Sequence, residues 1–176
     1  MTGSHRVIVE SERIKYDFVI RRNITVIQGN SGTGKTTLIE ALNEYTIRGD
    51  AGGIRLQSDV PCVVYSGGFN HYESFMKELT GSIIFIDEDY AFINTEKFAE
   101  TVKESDNYYV IITRQPLYNL PYSIKEIYGI RTSGKYHFPE QVYHELYPLY
   151  DEEKPQDNQR DVLLILEDDN SGLEFY

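Results

Sequence analysis

The sequence predicts an α/β fold: a mostly parallel sheet flanked by helices, entered through an N-terminal antiparallel hairpin. Three observations predict it. Apolar runs at 24–27, 83–86 and 108–113 are too short for ordinary helices and suit strands buried on both faces. Segments fit for helices separate them, at 35–47, 72–79 and 95–103. Ahead of all these, 6–9 and 16–20 read as two short strands, and Ile14, Tyr16, Phe18 and Ile20 give the second an apolar face at period two.

Composition sets the class. At 176 residues, the chain is long enough for one domain with a substantial core. Its hydrophobic content of 40% and charged content of 26% are those of a soluble globular protein. No apolar run spans a bilayer and no secretory signal is present, so no membrane partner is expected. The single cysteine, Cys62, excludes an internal disulfide and a cysteine-based zinc cluster. It lies in an apolar run and reads as a small core residue, which points to the reducing cytoplasm. The net charge of -11 is uneven: residues 140–176 hold eleven acids and two bases, while 1–139 hold seventeen acids and fifteen bases. A nearly neutral body argues against broad binding to nucleic acid. Arg13, Lys15, Arg21 and Arg22 are either a local basic patch or, the reading preferred here, the charged edge of the hairpin.

After the hairpin, the strand at 24–27 runs into Gly29-Asn30-Ser31-Gly32-Thr33-Gly34-Lys35-Thr36, and a helix follows. This is G-x-x-x-x-G-K-[ST] between a strand and a helix, the context a phosphate-binding loop requires. Glycines let successive backbone N–H groups converge on phosphate oxygens, and the helix start adds unpaired N–H groups and a positive dipole end. Lys35 reaches terminal phosphates as a point charge, and the Thr36 hydroxyl is a hard ligand for Mg²⁺. Thr37 completes the nucleotide-binding segment. The helix ends at the glycine-rich turn 49–53, 54–59 reads as an edge segment, and 61–66 as a buried strand.

The apolar run Ile83-Ile84-Phe85-Ile86 delivers Asp87 and Glu88, with Asp89 as a possible helix cap. This is the Walker B pattern, a buried strand whose end emerges beside the phosphate loop. The strand at 108–113 ends on Thr113, before Arg114 and Gln115. Together these motifs resemble the P-loop NTPase superfamily, and within it the additional-strand class of AAA-like and ABC-like ATPases. The resemblance implies a mostly parallel P-loop NTPase sheet, with ATP and Mg²⁺ as cofactors. It assigns Thr36 and Asp87 to the metal and Lys35 to the phosphates. Glu88 would activate water, and Thr113 would sense the terminal phosphate. Arg114 is either a cis arginine for transition-state charge or, preferred, a residue fixing the next loop.

Residues 117–122 read as a loop, 124–130 as a further strand, and 136–138 as the completion of a hairpin. The tyrosines of 141–150 are either a stacking platform for bases or, preferred, core or interface packing. The expected ATPase domain covers 1–150. Residues 151–160 form an acidic linker, and 161–176 a C-terminal strand segment that either completes the sheet or begins a truncated second domain. Its apolar run ending in Glu167 resembles the opening of a Toprim domain. Asp168 stands where that family has glycine, and no activity is carried over from it.

The function expected is ATP hydrolysis driving a conformational or assembly change. Two alternatives stand beside it. One is a nucleotide-gated binding module with slow hydrolysis, homo-oligomeric or acting on a protein or DNA partner in a defence or mobile-element setting. The other is a small-substrate kinase. No LSGGQ-like signature and no N-K-x-D motif is present, which argues against a transporter subunit and a GTPase.

Overall fold

A computed structural model describes residues 3–30, 32–137 and 141–150. The predicted linker 151–160, the segment 161–176 with Glu167, the loop residue Ser31 and the predicted hairpin residue Phe138 lie outside the described residues.

The chain opens on β1 (His5–Glu10) and β2 (Ile14–Ile20), paired antiparallel with Val7 opposite Phe18 and Val9 opposite Tyr16. Those four side chains are buried, as the period-two pattern requires. The outer face carries ion pairs: Arg6 with Asp17 at 2.6 Å and Lys15 with Glu10 at 3.0 Å. Arg22 pairs with Glu126 at 3.4 Å, so two of the four clustered bases are neutralised locally.

Next, β3 (Ile24–Ile27), buried throughout, leads through the glycine loop into α1 (Lys35–Arg48). β4 (Arg55–Gln57) returns antiparallel to β1, and β5 (Cys62–Val64) follows. Then come α2 (Tyr72–Glu78), β6 (Ile83–Ile86), α3 (Glu96–Glu104) and β7 (Tyr108–Ile112). α3 starts where Thr95 accepts a hydrogen bond from the Phe98 N–H at 3.2 Å, a side-chain cap. β8 (Ile127–His137) and β9 (Gln141–Pro148) close the described chain as an antiparallel pair.

These strands make one sheet in the order β4-β1-β2-β9-β8-β3-β7-β6-β5. The expected mostly parallel sheet flanked by helices is not what forms. The sheet is mixed and curls into a half-barrel, and only 31% of the structure is helical. Parallel pairing covers β8-β3-β7-β6-β5, whereas β9 runs against β8, and β1 against both β2 and β4. The physical reason lies in the connections. Only the crossovers through α1, α2 and α3 are helical, and α2 and α3 are short; β7 reaches β8 without an α-helix. Within the segment 141–150, whose tyrosines were expected to pack in the core or an interface, Gln141–Pro148 forms the strand β9. It pairs parallel with β2 from Ile14 to Tyr16 and so joins the hairpin to the rest.

The sheet curls around α1, which touches β1, β4 and β5, hence both edges of the sheet. Leu38, Ile39, Ala41 and Leu42 pack there against Val7, Tyr16, Phe18, Phe85 and Val110. The opposite face carries a second core in which Phe92, Phe98, Tyr65, Tyr72 and Met76 cover Val26, Ile84 and Ile111. No helix of the described residues is long and apolar enough to cross a membrane.

Candidate phosphate-binding site

β3 places Gln28 and Gly29 at its end, and the chain turns into α1 at Gly34. Gly34 has φ of 101°, a left-handed value that glycine adopts at least cost, as does Gly32 at 81°. α1 carries no acid in its first turn, so no side chain of the helix itself offsets its positive end. Thr36 and Thr37 are exposed there.

Lys35 is only 7% exposed. Its Nζ donates to the Gly29 carbonyl at 2.6 Å and the Asn30 carbonyl at 2.7 Å, with Thr33 Oγ1 at 3.3 Å. The Thr33 hydroxyl in turn donates to the Asn30 carbonyl at 3.1 Å. The ammonium is thus folded onto its own loop. Burial pulls the Lys35 pKa down; Glu88 and, less, Asp87 push it up, and Arg114 adds to the lowering.

β6 ends at the same place. A cavity of about 270 Å³ is lined by Lys35, Thr36 and Thr37 on one side and by Asp87, Glu88 and Arg114 on the other. The Asp87 carboxylate accepts the Glu88 N–H at 2.8 Å, yet burial still raises its pKa. A carboxylate in that condition gains from a cation. Glu88 Oε1 lies 2.9 Å from Arg114 Nη2. Among the described residues, no group of three or more His, Cys, Asp or Glu could hold a metal ion. Mg²⁺ asks less of a protein: one or two hard oxygens, the rest from phosphate and water. Asp87 and Thr36, facing one cavity, fit that donor set. A larger cavity of about 570 Å³ lies between the β1–β2 turn and residues 50–55, and its lining includes none of the expected site residues.

Thr113 is placed differently. Its N–H extends the β7–β3 pairing to the Ile27 carbonyl at 3.1 Å. The residue is 3% exposed, and its hydroxyl donates to the Gln115 carbonyl and accepts the Gln115 N–H, both at 3.0 Å; Thr113 is not among the residues lining the cavity. The structure therefore brings together Gly32, Gly34, Lys35, Thr36, Thr37, Asp87 and Glu88, and leaves the Thr113 hydroxyl closing its own turn.

Two residues of the site were missed in the sequence. Tyr16 Oη donates to the Gly34 carbonyl at 2.8 Å, and His144, which lines the cavity, stacks on the Tyr16 ring with centroids 4.5 Å apart. Among the described residues the buried His144 Nδ1 has no hydrogen-bond partner, and burial lowers the His144 pKa. The signal was the alternation Val142, His144, Leu146, which marks a strand face. Compared with known proteins, the chain matches no family model and no curated protein.

Proposed function

We propose that this chain binds Mg²⁺–ATP at Gly29–Thr36 and hydrolyses it. The observation that carries the reading is one cavity with a phosphate-loop lysine on one wall and the Asp87-Glu88 pair on the other. Lys35 and the α1 N-terminus would hold the phosphates, and Thr37 would extend that contact. Asp87 and Thr36 would hold Mg²⁺, which when bound neutralises charge on the phosphates. Glu88 would orient a water and take its proton as the water oxygen bonds to the terminal phosphorus. The bond to the bridging oxygen then breaks, and ADP and inorganic phosphate leave. The Gly29 and Asn30 carbonyls must release Lys35 as phosphate arrives.

The test is phosphate release by wild type, Lys35→Ala and Glu88→Gln, with and without DNA. Wild type should turn over ATP. Lys35→Ala should lose nucleotide affinity, and Glu88→Gln should keep affinity but lose about 10²–10⁴ in rate. A Glu88→Gln protein as fast as wild type would remove Glu88 from the base role. Full affinity in Lys35→Ala would remove the phosphate-loop reading itself.

A second reading, a nucleotide-gated module that hydrolyses slowly, is favoured by one fact: Lys35 and Glu88 are both engaged by protein groups. Specific activity that rises with protein concentration would favour subunits completing the site, whereas a flat dependence would count against it.

A further inference from the structure

The phosphate loop follows β3, and the sheet order places β6 two strands to one side of β3 and β9 two strands to the other. Asp87 and Glu88, past the end of β6, therefore reach the cavity from one flank, and His144, on β9, reaches it from the opposite flank. The His144 ring lies flat on Tyr16, with an angle of 11° between the planes. Tyr16 is itself tied to the Gly34 carbonyl, which also accepts the Leu38 N–H of α1 at 3.0 Å. The imidazole is thus fixed beside the point where the loop becomes helix.

The two ring nitrogens differ. Nδ1 is enclosed at Gly34: a Cβ on that glycine would lie 3.2 Å from it. Among the described residues it has no hydrogen-bond partner. A proton on Nδ1 would be a buried N–H without an acceptor, a costlier orphan than a bare lone pair, so the neutral ring carries its proton on Nε2. Burial lowers the His144 pKa, which disfavours the imidazolium that would restore that orphan N–H. With Nδ1 closed off, Nε2 is the nitrogen the ring offers to the cavity it lines.

We propose that the Nε2–H of His144 donates to the phosphates nearest the nucleoside when a nucleotide occupies the cavity. The proposal rests on the reading of the loop as a nucleotide site. It adds a binding residue that neither the loop nor the Asp87-Glu88 pair supplies. The phosphate attacked by water lies on the β6 flank with Glu88, so the β9 flank is left to the phosphates that a diphosphate and a triphosphate share. A hydrogen bond to a charged oxygen is the strong kind, and it needs no charge on the imidazole. Tyr16 is then a positioning residue that sets the plane of the ring.

Two measurements on the full chain test this. Nitrogen-15 NMR of histidine-labelled protein reads the tautomer; the chain has four histidines, and the His144 signals are those missing from His144→Gln. Without ligand they should be those of a neutral ring protonated on Nε2, and Mg²⁺–ADP should shift Nε2 more than Nδ1. A ring protonated on Nδ1 overturns the proposal. The second measurement is calorimetric titration of wild type, Lys35→Ala, His144→Phe and His144→Gln with Mg²⁺–ADP and with Mg²⁺–AMP-PNP. His144→Phe keeps a ring on Tyr16 but has no donor, and should weaken both ligands about tenfold. His144→Gln loses the stack but keeps an N–H at the reach of Nε2, and should stay close to wild type. His144→Phe binding as tightly as wild type, or His144→Gln binding as weakly as His144→Phe, would reduce His144 to packing. A loss confined to AMP-PNP would put the contact on the terminal phosphate and overturn the assignment. If wild type binds both ligands and Lys35→Ala binds neither, such results sink the His144 proposal alone. If wild type binds neither ligand, or Lys35→Ala binds as wild type does, the nucleotide reading falls and takes the proposal with it.

Discussion

Gly34 carries two separate constraints, and they can be told apart. Its φ of 101° disfavours any side chain, and a Cβ there would lie 2.9 Å from Tyr16 Oη and 3.2 Å from the His144 ring. Gly32 shares the first constraint, with φ of 81°, but a Cβ there would meet nothing within 4 Å. Gly32→Ala should therefore cost only backbone strain, about 1–2 kcal/mol. Gly34→Ala adds overpacking and should cost about 2–5 kcal/mol, because Tyr16 is buried and its hydroxyl is tied to Gly34. Urea denaturation of the two variants measures the difference. Equal losses would mean that the Tyr16–His144 pair yields freely and does not brace the loop. Since Gly34 is where α1 begins, a braced Gly34 fixes the N–H groups that a phosphate would meet.

At the scale of elements, Asn107 shows how a single side chain joins three of them. Its Nδ2 donates to the carbonyls of Met76, at 3.2 Å, and Leu79, at 2.9 Å, closing the end of α2. Its Oδ1 accepts the Ser82 N–H at 3.0 Å, at the start of β6, while its own backbone leads into β7. The residue is 1% exposed, so Asn107→Ala would strand these groups and should cost about 2–4 kcal/mol in thermal denaturation. Asn107→Asp keeps the acceptor but turns a carboxylate toward two carbonyls, and should be no better. A loss under about 1 kcal/mol would show that water replaces the amide. This joint was not legible in the sequence, where Asn107 is only the residue before the apolar run at 108–113. What was legible was local. The runs at 24–27 and 83–86 are strands because they are apolar without interruption, and α3 is a helix with Phe98 and Val102 buried behind a Thr95 cap. Asp87 and Glu88 face the loop because a short buried strand has one direction to leave by. β9 failed to read as a strand because tyrosines stand where polar residues are expected: Tyr143, Glu145 and Tyr147 share one face, opposite Val142, His144 and Leu146. Tyr143 lies under Lys15, and Tyr147 lies under Arg131, so rings that look like core are outer-face packing. The turn that the Thr113 hydroxyl closes through Gln115 was not legible either, since strand spacing fixes where a residue lies, not which neighbour its hydroxyl bonds.

For the whole molecule, the curl of the sheet follows from α1. A mixed sheet of nine strands has two edges, and here both edge strands, β4 and β5, touch the same helix. No sequence pattern announces this, because it depends on pairings between segments far apart in the chain, such as Ile14 with Val142. Yet it makes α1 the plug of the half-barrel. Leu42 is 2% exposed and packs in the core that contains Val7 and Val9 of β1 and Val64 of β5. Leu42→Ala should cost about 2–5 kcal/mol, since the void it leaves is walled by several strands that cannot all close in. Amide hydrogen exchange gives the sharper reading. If the sheet is wrapped on α1, the cavity loosens β4 and β5 together, although the two edges share no hydrogen bonds. Loss of protection at one edge alone would mean that the helix is seated on a single wall and that the curl has another cause. Because α1 starts at the candidate phosphate loop, the same experiment run with Mg²⁺–AMP-PNP should restore protection at both edges in the variant. A ligand that orders Gly34 and Lys35 orders the helix, and through it the strands at the two ends of the sheet.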